Sequence, residues 1–143
     1  LSVLPDFMRS AWVVPGVGDA GAHVSMIMDA GWSSFFLSYW HRDQQEFSLE
    51  QSINYLTAKQ ARIIGLQDRG SLEMGKRADI NIIDIDQLAE RQPIRVQDFP
   101  GGAPRFIQRA IGYQNTIVNG QVILENDELT GNVGGQIIRN QSK

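Results

Sequence analysis

The clearest period in the chain is helical. Leu49, Ile53, Leu56, Ala61 and Ile64 recur at spacings of three to five and fall on one face, opposite Glu50, Gln51, Asn54 and Lys59. Ser48 before this run and Gln51 at its third position form a capping box, and Gly65 supplies the left-handed residue that ends it. One amphipathic helix is therefore expected here, docked on something apolar. From Gly70 the period changes to that of strands. "GSLEMGKRADINIIDID" predicts a short strand, a Gly-Lys turn and an Ile-rich strand from Asp79 to Ile85. In "YQNTIVNGQVILEN" two β-type runs flank Asn119-Gly120, the pair that a two-residue type I′ hairpin requires. Between them, "DQLAERQPIRVQDFPGGAPRF" reads as a long polar connection punctuated by Pro93, Pro100 and Pro104. A last short strand is expected at Gln136 to Arg139, and the tail "NQSK" is expected to fray.

The first part of the chain is less regular. Residues 1–12 suit a short helix interrupted by Pro5. "WVVPGVGD" is apolar and β-branched and predicts a short buried strand running into the glycine turn "GVGDAGAHV". Residues 24–47 are rich in aromatic side chains and predict a helix at roughly 33–42. Trp32, Phe35, Phe36, Tyr39 and Trp40 there read as core packing, with an aromatic rim for an acyl chain as the alternative. There is no internal repeat. The organisation is a strand, loop and helix piece over residues 1–66, then a mostly β piece over 67–143 with its hairpin at 117–122. A single α/β unit cannot cover its own faces and needs neighbouring strands.

Composition narrows the function. The chain has 143 residues, 42% hydrophobic and 20% charged, with a net charge of −3. Its Lys and Arg residues are scattered, which argues against a nucleic-acid partner. No apolar run approaches a membrane span, and the start has no basic region of the signal-peptide type, so a cytoplasmic location without membrane contact is expected. Cysteine is absent, which excludes disulfides and thiolate metal sites. The chain begins with Leu rather than Met, so a processed product or a fragment is expected.

Spacing alone makes Asp19 a turn residue or a helix N-cap, and His23 a structural hydrogen-bonder. "GKRAD" reads as a solvated turn, because no strand-to-helix phosphate loop surrounds it. "GVGDAGAHV", "LEQSINYLTAKQARIIGLQDRGSLEMGKRADINIIDID" and "TIVNGQVI" together resemble the C-terminal part of the amidohydrolase superfamily. "GDAGAH", "DFPGGAPRF" and "TG" resemble its D-aminoacylase (N-acyl-D-amino-acid deacylase) branch.

The resemblance implies an α/β plus β fold: the last strand and helix of a metal-dependent (β/α)8 barrel joined to a small β-sandwich-like domain. It implies hydrolysis of C–N bonds, plausibly in N-acyl-D-amino acids, with zinc in the intact enzyme and none bound by this chain alone. Asp19 becomes the general base and then general acid, and a metal ligand, because carboxylates at the C-terminal ends of barrel strands face the active site. Gly18, Ala20, Gly21 and Ala22 would let backbone pass close to substrate. His23 would orient substrate or position Asp19, and Arg105 would be tested for carboxylate recognition.

The chain departs from the family pattern in having only His23 and His41 and no His-x-His pair. A catalytic zinc ordinarily takes three protein ligands. The isolated chain is thus expected to be inactive, with the missing barrel portion or another copy of itself as partner. The alternatives are a binding module that self-associates through β edges and an exposed aromatic surface, and a self-sufficient small α+β domain.

Overall fold

The computed structural model describes residues 3–16, 18–23 and 29–139. A helical layer comes first. Helix α1 spans Leu4–Met8, and Pro5 sits in its first turn, where a missing N–H costs nothing, so it starts the helix rather than breaking it. Helix α2, Trp32–Phe35, runs directly into a π-helix, Phe36–Asp43, whose wider winding ends with Gln44 N–H donating to the Tyr39 carbonyl at 2.8 Å. The expected helix at 33–42 is thus present, with its second part wound wider than α.

Its aromatic residues form the helical core, as their pattern predicts. Phe36, Trp40 and Phe47 are buried, and Met8, Phe35, Tyr39, Tyr55 and Leu56 pack on them. Phe35 stacks on Tyr39 at 4.9 Å, and Tyr55 meets the Phe47 ring edge-on at 5.5 Å.

The capping box at Ser48 forms as predicted. The Ser48 hydroxyl accepts the Gln51 N–H at 3.2 Å, and the Gln51 side chain accepts the Ser48 N–H at 3.0 Å. The expected single helix is instead two: α3, Leu49–Leu56, and α4, Ala58–Ile63, bent at Thr57. The Thr57 hydroxyl donates to the Ile53 carbonyl at 2.6 Å, a back-bond that competes with the helical ladder. Gly65, at φ 78°, ends α4 with both Schellman bonds: Leu66 N–H to the Ala61 carbonyl and Gly65 N–H to the Arg62 carbonyl.

The inward face also differs from expectation. Ser52 and Ala61 are buried, whereas Leu49, Ile53 and Ile64 of the predicted apolar face are 42%, 40% and 70% exposed. Nothing among the described residues covers that row.

The strand expected in "WVVPGVGD" is absent among the described residues. Its carbonyls are taken by side chains of α4: Lys59 donates to Val13 at 2.7 Å and Gln60 to Pro15 at 2.6 Å. Without a neighbouring strand, these contacts satisfy the backbone of an extended segment.

The second part is rich in sheet. Strands β1 (Ile80–Ile83), β6 (Tyr113–Val118), β7 (Gln121–Glu125) and β8 (Glu128–Leu129) form an antiparallel sheet in the order β1-β6-β7-β8. Asn119 and Gly120, at φ 51° and 79°, close the predicted hairpin between Val118 and Gln121. A second tight turn was not anticipated. Asn126 and Asp127, at φ 49° and 64°, turn β7 into β8, which takes the place of the strand expected at 136–139. The expected short strand after Gly70 is a turn region, with Arg77 paired to Asp68 and Arg69 to Asp79. The supposed long connection contains structure of its own: β2 (Ala89–Glu90) pairs with β5 (Ala110–Ile111), and β3 (Ile94–Val96) with β4 (Arg105–Ile107). The tail expected to fray, Asn140 to Lys143, lies outside the described residues.

Among the described residues, hydrogen bonds from Arg42, Ser34 and Gly31 join the helical and sheet parts. Arg42 donates from Nη1 to the carbonyls of Ile85, Asp86 and Leu88. The hydroxyls of Ser34 and Tyr113 meet at 2.9 Å, and Gly31 N–H donates to Gln108 Oε1 at 3.1 Å. Beneath them Leu88 is fully buried against Gly112, where a Cβ would lie 2.8 Å from the Leu88 Cα.

A candidate active-site loop

The loop after Gly16 is built from residues that leave its backbone bare. Asp19 to Ala22 is one turn, closed by Ala22 N–H donating to the Asp19 carbonyl at 2.9 Å. Its third residue, Gly21, has φ 89°, which an L side chain rarely adopts. His23 follows at φ 51°. Asp19 and His23 are both exposed.

The turn is also tethered from a distance. Asp19 N–H donates to Asp29 Oδ2 at 2.8 Å. The Asp29 carboxylate lies so close to Gly18 that a Cβ there would sit 2.6 Å from Oδ2. Gly18 is therefore glycine because a carboxylate occupies the space a side chain would need. Nothing in the spacing signals this partner, ten residues away.

Arg105 lies elsewhere in the fold, on β4. Its guanidinium grips Asp98 through two bonds of 2.7 Å and rests over the Phe99 ring at 5.5 Å. The hydrogen bonds from Arg105 hold the Asp98 carboxyl below its ordinary range, and Asp98 raises Arg105 in turn. No hydrogen bond or ion pair among the described residues joins Arg105 to Asp19. The "GKRAD" segment is a turn, and its charges are paired within the chain: Lys76 with Glu73 and Arg77 with Asp68.

Among the described residues no three His, Cys, Asp or Glu side chains converge on one point. A catalytic zinc ordinarily needs that many protein ligands, so these residues by themselves do not form a metal cage. The loop offers the exposed Asp19 carboxylate on a turn closed by its own hydrogen bond and tethered to Asp29 at its first residue.

The sequence model of the amidohydrolase family matches residues 13–124, from the approach to this loop to the end of the β6–β7 hairpin. A dihydroorotase of Lactobacillus acidophilus is 33% identical over 98 residues, covering 68% of this chain and 23% of the relative. An N-acyl-D-glutamate deacylase of Alcaligenes xylosoxydans is 37% identical over 62 residues, 42% of this chain and 13% of the relative. Among solved structures, a D-aminoacylase variant in complex with copper chloride superposes with a TM-score of 0.59 at 26% identity, over 76% of this chain and 21% of that one. A D-aminoacylase with a binuclear metal centre gives 0.54 at 27% identity, over 70% and 19%. The chain thus spans only 13% to 23% of the length of these relatives. No helix among the described residues is long and apolar enough to cross a membrane. With the family model spanning both the helical and the sheet-rich parts, this chain belongs to the amidohydrolase family.

Proposed function

We propose that this chain is the C-terminal portion of a metal-dependent amidohydrolase that cleaves C–N bonds, with N-acyl-D-amino acids as its substrate class. The likeness to D-aminoacylase structures carries this reading, because it extends over 76% of the chain and so covers more than a local motif. The deacylase relative favours an acylated D-amino acid. In this reading residues 1–66 contribute the last strand-loop-helix unit of a (β/α)8 barrel, and residues 67–143 the small β domain.

Asp19 is the proton carrier. Its carboxylate accepts a proton as water attacks the amide carbonyl and delivers it to the leaving nitrogen, a role that typically contributes about 10²–10⁴-fold. His23 orients the substrate beside it. Arg105 recognises a substrate carboxylate only by exchanging Asp98 for it. Zinc belongs to the assembled enzyme, with Asp19 as the single candidate ligand from this chain.

The exposed row of Leu49, Ile53, Ile63 and Ile64 supports a missing neighbour on the outer face of α3 and α4. The remaining barrel is the occupant this reading assigns. A second reading, self-association, draws on the same row and on Phe7 and Trp12, which are 64% and 94% exposed.

The test is to assay the 143-residue chain with added zinc, and the polypeptide that supplies the remaining strands, against N-acyl-D-amino acids. The short chain is expected to be inactive, the longer one active, and Asp19→Asn to abolish that activity. Turnover by the short chain alone, or full activity in Asp19→Asn, overturns the reading. Light scattering on the short chain separates the two partners, since a stable symmetric dimer favours self-association.

A further inference from the structure

We infer that Asp29 is a positioning residue for Asp19, and that the sheet-rich part holds Asp29 in place through Gln108. The inference rests on the reading of Asp19 as the proton carrier.

Two observations converge on Asp29. Its carboxylate accepts the Asp19 N–H at 2.8 Å, which fixes the peptide leading into the Asp19 side chain. It also fills the space beside Gly18, where a Cβ would be 2.6 to 2.8 Å from its three carboxyl atoms. One exposed side chain thus sets both the entry to the turn and the residue type that precedes it.

Asp29 is itself close to a fixed point. Two residues on, Gly31 caps α2 and donates its N–H to Gln108 Oε1 at 3.1 Å. Gln108 Nε2 is anchored to the Arg91 carbonyl at 3.1 Å. A Cβ on Gly31 would meet the side chains of Glu90 and Gln108, so Gly31 lies close against both. Gln108 thus fixes Gly31, and Asp29 lies two residues before it in the chain. A misplacement of about 1 Å far from the chemistry can cost about 10²-fold in rate, so a loosened tether is expected to act on kcat.

The test has two arms. In the ¹⁵N-labelled 143-residue chain, the Asp19 amide proton should shift upfield in Asp29→Ala and keep its position in Asp29→Asn, whose carbonyl oxygen accepts the same bond. Gly18→Ala, which displaces the carboxylate, should mimic Asp29→Ala. An Asp19 resonance unmoved in both Asp29→Ala and Gly18→Ala overturns the inference without reference to activity.

In the longer enzyme, Asp29→Ala should lower kcat about 10²-fold with little change in KM, and Asp29→Asn should restore most of it. Equal losses in Asp29→Ala and Asp29→Asn, or a change in KM alone, overturn the positioning role. If Asp19→Asn is fully active while the amide shifts appear as expected, the proton-carrier reading fails and the tether stands.

Discussion

Two glycine turns of similar length in this chain are held by different means. The turn at Asn119-Gly120 is framed by its own strands and braced from a distance, with Asn119 N–H donating to Asp79 Oδ1 at 2.8 Å and Gly120 N–H to the Ala78 carbonyl at 3.0 Å. Both residues take the left-handed conformation, and the strands on either side pair directly from Val118 and Gln121 outward. The turn at Asp19 to Ala22 has one internal bond and no flanking strand pair among the described residues. It leans on Asp29 ten residues away, while the segment before it leans on Lys59 and Gln60 of α4. A turn whose residue types and flanking strand pair fix its geometry can be read from sequence, whatever else braces it. A turn fixed by distant side chains alone cannot, and the Asp19 turn is of that kind.

The contrast can be broken most forcefully at Phe36. Truncating this buried ring to Ala should cost about 3–5 kcal/mol in a urea titration. It should loosen the helical part and the Asp19 turn while hydrogen-exchange protection in the β6–β7 hairpin persists. Equal loss of protection in both places would show that the hairpin is no more autonomous than the loop.

Gly120→Ala sharpens the other side. Nothing lies within 4 Å of a Cβ there, so its cost is the left-handed backbone alone, about 1–2 kcal/mol. Its chemical-shift changes should stay within the hairpin and the Ala78-Asp79 segment bonded to it. Ser48→Ala should cost about 1 kcal/mol by removing the capping box, read as a lower urea midpoint, with the hairpin again untouched.

The smallest effect is electrostatic. Asp98 is held below its ordinary 3.8 by Arg105, so the stability it lends is complete above pH 3.8 and is lost as pH falls through its depressed value. The pair is largely exposed, so the effect is small. Asp98→Asn should have a slightly lower urea midpoint than the parent at pH 7, and the difference should shrink as pH falls below 3.8.

How far the sequence could be read follows the same division. Ser48, Gln51 and Gly65 announce the start of α3 and the end of α4, because capping is a matter of adjacent residues. Thr57 hides the bend between them, since its hydroxyl also suits an unbroken helix. The Ile-rich strand and the Asn119-Gly120 hairpin are plain in the pattern. The turn at Asn126-Asp127 carried a signal, two residues that tolerate positive φ, but no strong strand follows it. Short ladders such as β2 with β5 are too brief to show a period. Of the candidate site, Asp19 and its small neighbours are singled out by the family resemblance. Asp29 is not, because a carboxylate bound to a backbone amide ten residues away leaves no spacing to detect. The predicted strand before the loop failed for a related reason: its β-branched residues suit a sheet that the described residues do not supply.

Arg42 has a consequence for how this polypeptide could be divided. One guanidinium on the π-helix serves three backbone oxygens in the segment between β1 and β2. A protease nick in the linker near residue 66 would sever the covalent thread but leave that rivet in place, so the two pieces should co-migrate rather than part. The seam, held at three carbonyls by one side chain, has little freedom to slide.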